Sequence, residues 1–194
     1  MIRHILTQGD YDGACFLYAL ANAYKIIAGN PPSCTAWDSG VRALKHADDF
    51  LGCCIGTTQH FSSGPQTSKV VGIMLDAFGN DGPQVRCEHL PKVTTITEVA
   101  SLIDRQTVVI FRYKGATAHV ADIDHWVCGV ASRQKPFKLH LACSYRRVQD
   151  DRQQNKRYRE QYHTALDRYS NNWVDSRHAI RITSQTVFRI YKHS

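Results

Sequence analysis

A turn built from glycine and aspartate runs without a break into an apolar helix, and a cysteine stands where the two meet. The stretch reads Gly9-Asp10-Tyr11-Asp12-Gly13-Ala14-Cys15-Phe16-Leu17-Tyr18-Ala19-Leu20-Ala21. Glycine lets a chain turn tightly at little steric cost. From residue 14 on, Cys15, Ala19, Asn22 or Ala23, and Ile26 recur at helical spacing, and Leu17, Leu20 and Ile27 widen the apolar arc. Gly29-Asn30-Pro31-Pro32 stops the pattern. The spacing therefore predicts a buried helix over 14–28 with Cys15 at its N-terminus. That position matters because a thiolate, not a thiol, is the nucleophile, and both a helix N-terminus and a nearby imidazolium stabilise a thiolate. An imidazole is available far downstream, where Asp124-His125-Trp126-Val127 opens an apolar strand.

The rest of the chain divides into helices first and strands later. Helices are predicted over 35–50, with Asp38 or Ser39 as cap, over 68–78 and over 97–104. Residues 56–64 read as a loop, and Gly79-Asn80-Asp81-Gly82-Pro83 closes the third helix. Strands are predicted over 84–89, 107–113 and 185–191. A hairpin is predicted from 124–132 and 137–145, joined around Arg133-Gln134-Lys135-Pro136. Residues 114–122 read as a loop and 149–170 as helical or irregular. No repeat, low-complexity tract or linker interrupts the 194 residues. The expectation is one α+β domain over 1–194.

Composition narrows the function. No apolar run is long enough to span a bilayer, and the N-terminus lacks the apolar core of a signal peptide. A cytoplasmic protein is expected, with export by a signal-less route still open. The seven cysteines are irregularly spaced with no C-x-x-C, which argues against a disulfide framework or a zinc ribbon. His46, His60, His89, His119 and His140 show no zinc-protease spacing, so neither a metal nor a cofactor is expected. The formal charge is +7. Its densest part is Arg146-Arg147 and the run from Arg152 to Arg159, interleaved with Tyr158, Tyr162 and Tyr169. Such a segment suits nucleic acid or an acidic partner. Asp150, Asp151, Glu160 and Asp167 dilute it, and a solvated helix is the favoured reading.

The Gln8-Gly9 and Gly13-Ala14-Cys15-Phe16 segments resemble the Gln-Gly…Gly-Ser-Cys-Trp segment of papain-like cysteine peptidases, and His125-Trp126-Val127 with its hairpin is most similar to their bacterial C39-like branch. The resemblance implies a papain-like fold: an N-terminal helical half, with the cysteine at a helix N-terminus, packed on an antiparallel sheet carrying the histidine. It implies Cys15 as nucleophile and His125 as the base that takes its proton. Gln8 would donate its amide to the oxyanion beside the backbone N–H of Cys15, a role worth roughly 3–4 kcal/mol of barrier. The implied partner is a protein or peptide substrate.

The third catalytic position departs from the family. Asn or Asp belongs there, to fix the imidazole tautomer. This chain has Leu139-His140-Leu141-Ala142-Cys143-Ser144-Tyr145. Matching by sequence sets Cys143 at the acidic position. A hairpin looped over 133–136 instead pairs Ser132 with Phe137 and places Ser144 opposite His125. In that register Trp126, Cys128 and Val130 share an apolar face with Leu139, Leu141 and Cys143, and His125 and Ser144 share the other. A weakened triad, a replacement carboxylate from Asp122 or Asp124, or a lost activity are the alternatives. The expected function is a thiol hydrolase or acyltransferase. The rival is an inactive binding module that works through its basic segment. Substrate choice is expected in loops 52–67 and 114–123.

Overall fold

The computed structural model describes residues 6, 14–45, 61, 64–115, 123–134, 137–142, 144, 173–175, 178 and 180–192. It is an α+β fold in which helices pack on both faces of an antiparallel sheet. Helix α1 spans Cys15–Ala28, as the sequence predicts from its spacing. Gly29 ends it at φ 96°, where a side chain would be strained, and its N–H donates to the Lys25 carbonyl at 3.0 Å.

Helix α2 spans Cys34–Arg42 and is capped by Ser33, whose Oγ accepts from Ala36 N–H at 3.0 Å. The expected caps Asp38 and Ser39 lie inside the helix, where Asp38 pairs with Arg42 one turn on at 2.7 Å. Residues 46–50 of that predicted helix lie outside the described residues. Helix α3 spans Gly64–Asn80 and starts four residues before the predicted 68–78. Helix α4 spans Ile96–Ser101 and opens with a capping box between Thr95 and Glu98.

The strands are β1 Val85–His89, β2 Thr107–Gly115, β3 Ile123–Gln134, β4 Phe137–Ala142, β5 Trp173–Val174, β6 Arg181–Ile182 and β7 Phe188–Lys192. The sheet order is β1-β7-β2-β3-β4-β5, and β6 pairs with β2. The two-residue strands β5 and β6 are too short to give an alternating pattern, so nothing in the sequence announces them.

Two apolar clusters lie on the two faces of the sheet. On the helical side, Cys15, Phe16 and Leu20 of α1 and Val71 and Met74 of α3 pack against Ile110, Trp126, Cys128 and Phe188. On the far side, Phe111, Tyr113, Val127, Leu139 and Leu141 pack with Val99 and Ala100 of α4. The alternation along β2 and β3 divides these residues cleanly, since successive strand residues point to opposite faces. Phe16 and Trp126 join helix to sheet, with ring centroids 4.6 Å apart, and Phe61 lies tilted against Phe16 at 4.9 Å. Phe16→Ala is expected to cost about 3–5 kcal/mol, because both rings are fully buried and the void cannot fill. Urea unfolding measures that loss, and an unchanged midpoint would show that the joint contributes nothing.

Candidate active site

Cys15 is the first residue of α1, and its N-cap is Ala14, which has no side chain able to cap the helix. The first helical bond runs from Tyr18 N–H to the Ala14 carbonyl at 3.0 Å. No acidic residue stands in the first turn of the helix. Cys15 itself is buried in the helix-side cluster, only 2 % exposed.

His125 is the third residue of β3 and is 3 % exposed. Its neighbour Trp126 carries the contact to Phe16, the residue after Cys15. The helix start and the strand start are therefore adjacent in space. The pleat adds a constraint. His125 pairs with Tyr113 across the β2–β3 ladder, and Tyr113 belongs to the far-side cluster. The register sets His125 on Tyr113's face and Trp126 on the face toward α1. An imidazole that meets Cys15 must do so around the end of β3, not across the layer between helix and sheet.

The expected hairpin register is corrected. Ser132 pairs with Leu139, and Gln134 pairs with Phe137, so only residues 135 and 136 connect the strands. A bulge between Gly129 and Ala131 then shifts the register by one residue, to Cys128↔Ala142. The bulge also exchanges the faces. Trp126, Cys128 and Val130 share their side with Ala142, whereas Leu139 and Leu141 lie with Val127 on the other. Ser144 is buried and lies beyond Ala142, the last residue of the ladder, and the register from which the sequence sets it opposite His125 is not the one observed.

Asp124, one of the two replacement carboxylates, is committed elsewhere. Its oxygens accept from Arg112 Nε at 2.9 Å and Arg112 Nη2 at 3.0 Å, and Lys114 Nζ lies 3.4 Å away. Partial burial pushes the Asp124 carboxyl up. The Arg112 hydrogen bonds and charge, with those of Lys114, outweigh it and hold the group below the usual aspartate range. Arg112 pairs with Trp126, so this ion pair lies on the helical side of the sheet. A second acid–base pair, Asp175 Oδ1 with His178 Nδ1 at 2.9 Å, follows β5. Val174 pairs with Leu139, which pairs with Ser132, seven residues along β3 from His125. That is roughly 23 Å of strand, too far for Asp175 to orient the ring.

Gln8, Asp122 and Cys143 lie outside the described residues, as do the basic segment 146–159 and most of loops 52–67 and 114–123. Among the described residues no group of three or more His, Cys, Asp or Glu side chains forms a metal site, and no helix is long and apolar enough to cross a membrane. The sequence reading missed Arg112, whose partner emerges only once β2 and β3 pair. It also missed Asn22, counted there as part of an apolar stripe. The signal was a polar residue at a core position. No protein-family model matches this chain, and none of the curated proteins compared with it does.

The Arg112–Asp124 pair gives a pH dependence with a definite sign. The folded state lowers the Asp124 pKa, so the pair contributes stability above the unfolded aspartate value of about 3.9 and loses it as pH falls through the folded value. The melting-temperature gap between the wild type and Asp124→Asn is expected to hold steady from neutral pH down to about 4 and to close below it. A gap that does not vary with pH would show that the carboxylate's charge is not what the pair uses.

Proposed function

We propose that this chain is a papain-like thiol hydrolase with Cys15 as nucleophile and His125 as its proton acceptor. One observation carries the reading: Phe16 and Trp126, the residues that follow Cys15 and His125, are in ring contact at 4.6 Å. A cysteine at the start of a buried helix and a histidine at the start of a central strand thus belong to one corner of the fold.

The chemistry follows from the two groups. His125 takes the thiol proton, and Cys15 Sγ forms a bond to the acyl carbon of an amide or ester. The bond from that carbon to the leaving nitrogen or oxygen breaks, and His125 returns the proton to the leaving group. Water then loses a proton to His125 as it attacks the thioester. The S–C bond breaks, the acid is released and the thiol is restored. Another acceptor in place of water gives acyl transfer. The family resemblance favours protein or peptide substrates.

A second reading is favoured by the pleat, which sets His125 on the face away from the cluster holding Cys15. On that reading the chain keeps a papain-like frame as a binding module and does no chemistry.

Turnover of p-nitrophenyl acetate, with alkylation of Cys15 by iodoacetamide at mildly acidic pH, separates the two. The hydrolase predicts a burst of nitrophenol, fast alkylation of Cys15, and loss of both in His125→Ala. Cys34 is exposed and will alkylate at its own rate, so the Cys15→Ser variant supplies the background. Burial pushes the Cys87 thiol up to about 12, with the Glu88 charge adding to it, and burial raises Cys128 further, so neither competes. A Cys15 that alkylates no faster than Cys34, with no burst, supports the binding module.

A further inference from the structure

We infer that β1 is a docking edge for a second copy of this chain, and that the two copies join their sheets by pairing β1 with β1, antiparallel about Cys87. Strands β7 and β2 separate β1 from the strand that carries His125, so the inference stands apart from the hydrolase reading.

β1 ends the sheet. β7 pairs with it on one side, and among the described residues no strand pairs with it on the other. An open edge presents backbone donors and acceptors that another strand can take up. The hydrogen bonding shows which residues offer them. Leu90 N–H donates to the Val187 carbonyl at 2.9 Å, in the same register that pairs His89 with Phe188. In an antiparallel ladder, residues that bond their partner alternate with residues whose backbone groups point away. Arg86, Glu88 and Leu90 thus bond inward to β7, and Val85, Cys87 and His89 turn their N–H and C=O groups to the open edge. Side chains alternate as well. Val85 and Cys87 lie with the helix-side cluster, and Arg86 and Glu88 are exposed on the opposite face.

Charge selects the register. Two copies of this edge can pair only where outward residues meet outward residues. Centred on Arg86, the pairing sets Arg86 against the second copy's Arg86. Centred on Glu88, it sets Glu88 against the second copy's Glu88. Like charges directly opposite repel. Centred on Cys87, it sets each Arg86 against the second copy's Glu88, in the non-bonded kind of pair where side chains come closest. Glu88 already holds Arg189 Nη1 at 3.4 Å, so the second copy's Arg86 extends a ladder of alternating charge across the joint. Two prolines mark the same centre. Pro83 and Pro91 stand four residues before and after Cys87. Neither has an N–H to offer, so the pairing closes with no donor left over at its ends. A single sign of charge along β1 would keep copies apart. This strand carries opposite signs two residues apart, which the two-fold pairing brings together.

Sedimentation velocity over a range of chain concentrations tests the pairing, in reducing buffer because Cys34 is exposed. The wild type is expected to pass from monomer to dimer as concentration rises. Cys87→Pro should stay monomeric with an unchanged circular dichroism spectrum, because the Cys87 N–H faces away from β7 and an edge strand tolerates proline there. Glu88→Arg sets arginine against arginine at both contacts, and Arg86→Glu sets glutamate against glutamate. Each alone should weaken the dimer by about tenfold. An equimolar mixture of the two should restore the dimer, because every contact is then glutamate with arginine. The charge variants and their mixture carry the test if Cys87→Pro does not fold. A wild type that stays monomeric at every concentration overturns the proposal. So does a dimer that persists undiminished in Cys87→Pro, or a mixture no more dimeric than its components.

Discussion

The tilted ring contact between Phe16 and Trp126 is the contact that the rest of this structure depends on. Both rings are fully buried, and they tie the first turn of α1 to the first residues of β3. Their burial fixes the helix against the sheet at the one corner where both chemically interesting residues begin their elements. Aromatic pairs gain a further increment from their geometry beyond the area they bury. Phe61 and Phe188 extend the same aromatic layer to either side. Because the helix axis is pinned at this end, Cys15 cannot move without moving the core.

Around that joint the sheet separates two environments. The helical side carries the Arg112–Asp124 pair beyond Trp126, with Arg112 buried and Asp124 exposed. The far side carries Tyr113 and His125, paired across the ladder and both buried. The strand that holds His125 therefore has an ion pair bracing one face and an apolar cluster holding the other. The same alternation sets His125 on the face of Tyr113, away from the cluster that holds Cys15. The Arg112 carbonyl also accepts from Thr183 N–H at 2.9 Å, which ties the chain after β6 to the same corner.

Local patterns were legible in the sequence, and pairings were not. Helix α1 and strand β2 follow from spacing alone, since Cys15 to Ile27 carries an apolar stripe at helical spacing and Val108 to Phe111 is a continuous buried apolar run. The start of α2 was misread because Ser33 was overlooked as a cap in favour of Asp38 and Ser39. The hairpin register failed for two physical reasons. The strands continue to Gln134 and from Phe137, leaving two residues to turn, and a bulge inserts Val130 into β3. A bulge leaves no mark in a run such as Cys128-Gly129-Val130-Ala131, where every residue is apolar or small. One extra residue exchanges which side chains face the helix. Arg112 and Asn22 were invisible for the same reason: each takes its meaning from a partner that only tertiary structure brings near.

The most direct measurement is a chemical ruler between the two proposed catalytic groups. 1,3-Dibromoacetone alkylates a thiolate first and then bridges to a nucleophile within the length of its three carbons. Peptide mapping of the treated wild type is expected to recover Cys15 and His125 joined by that bridge, and the join should vanish in His125→Ala while Cys15 still takes up one equivalent. Cys15 alkylated without a bridge to His125, or bridged to another residue, would contradict a Cys15–His125 pair.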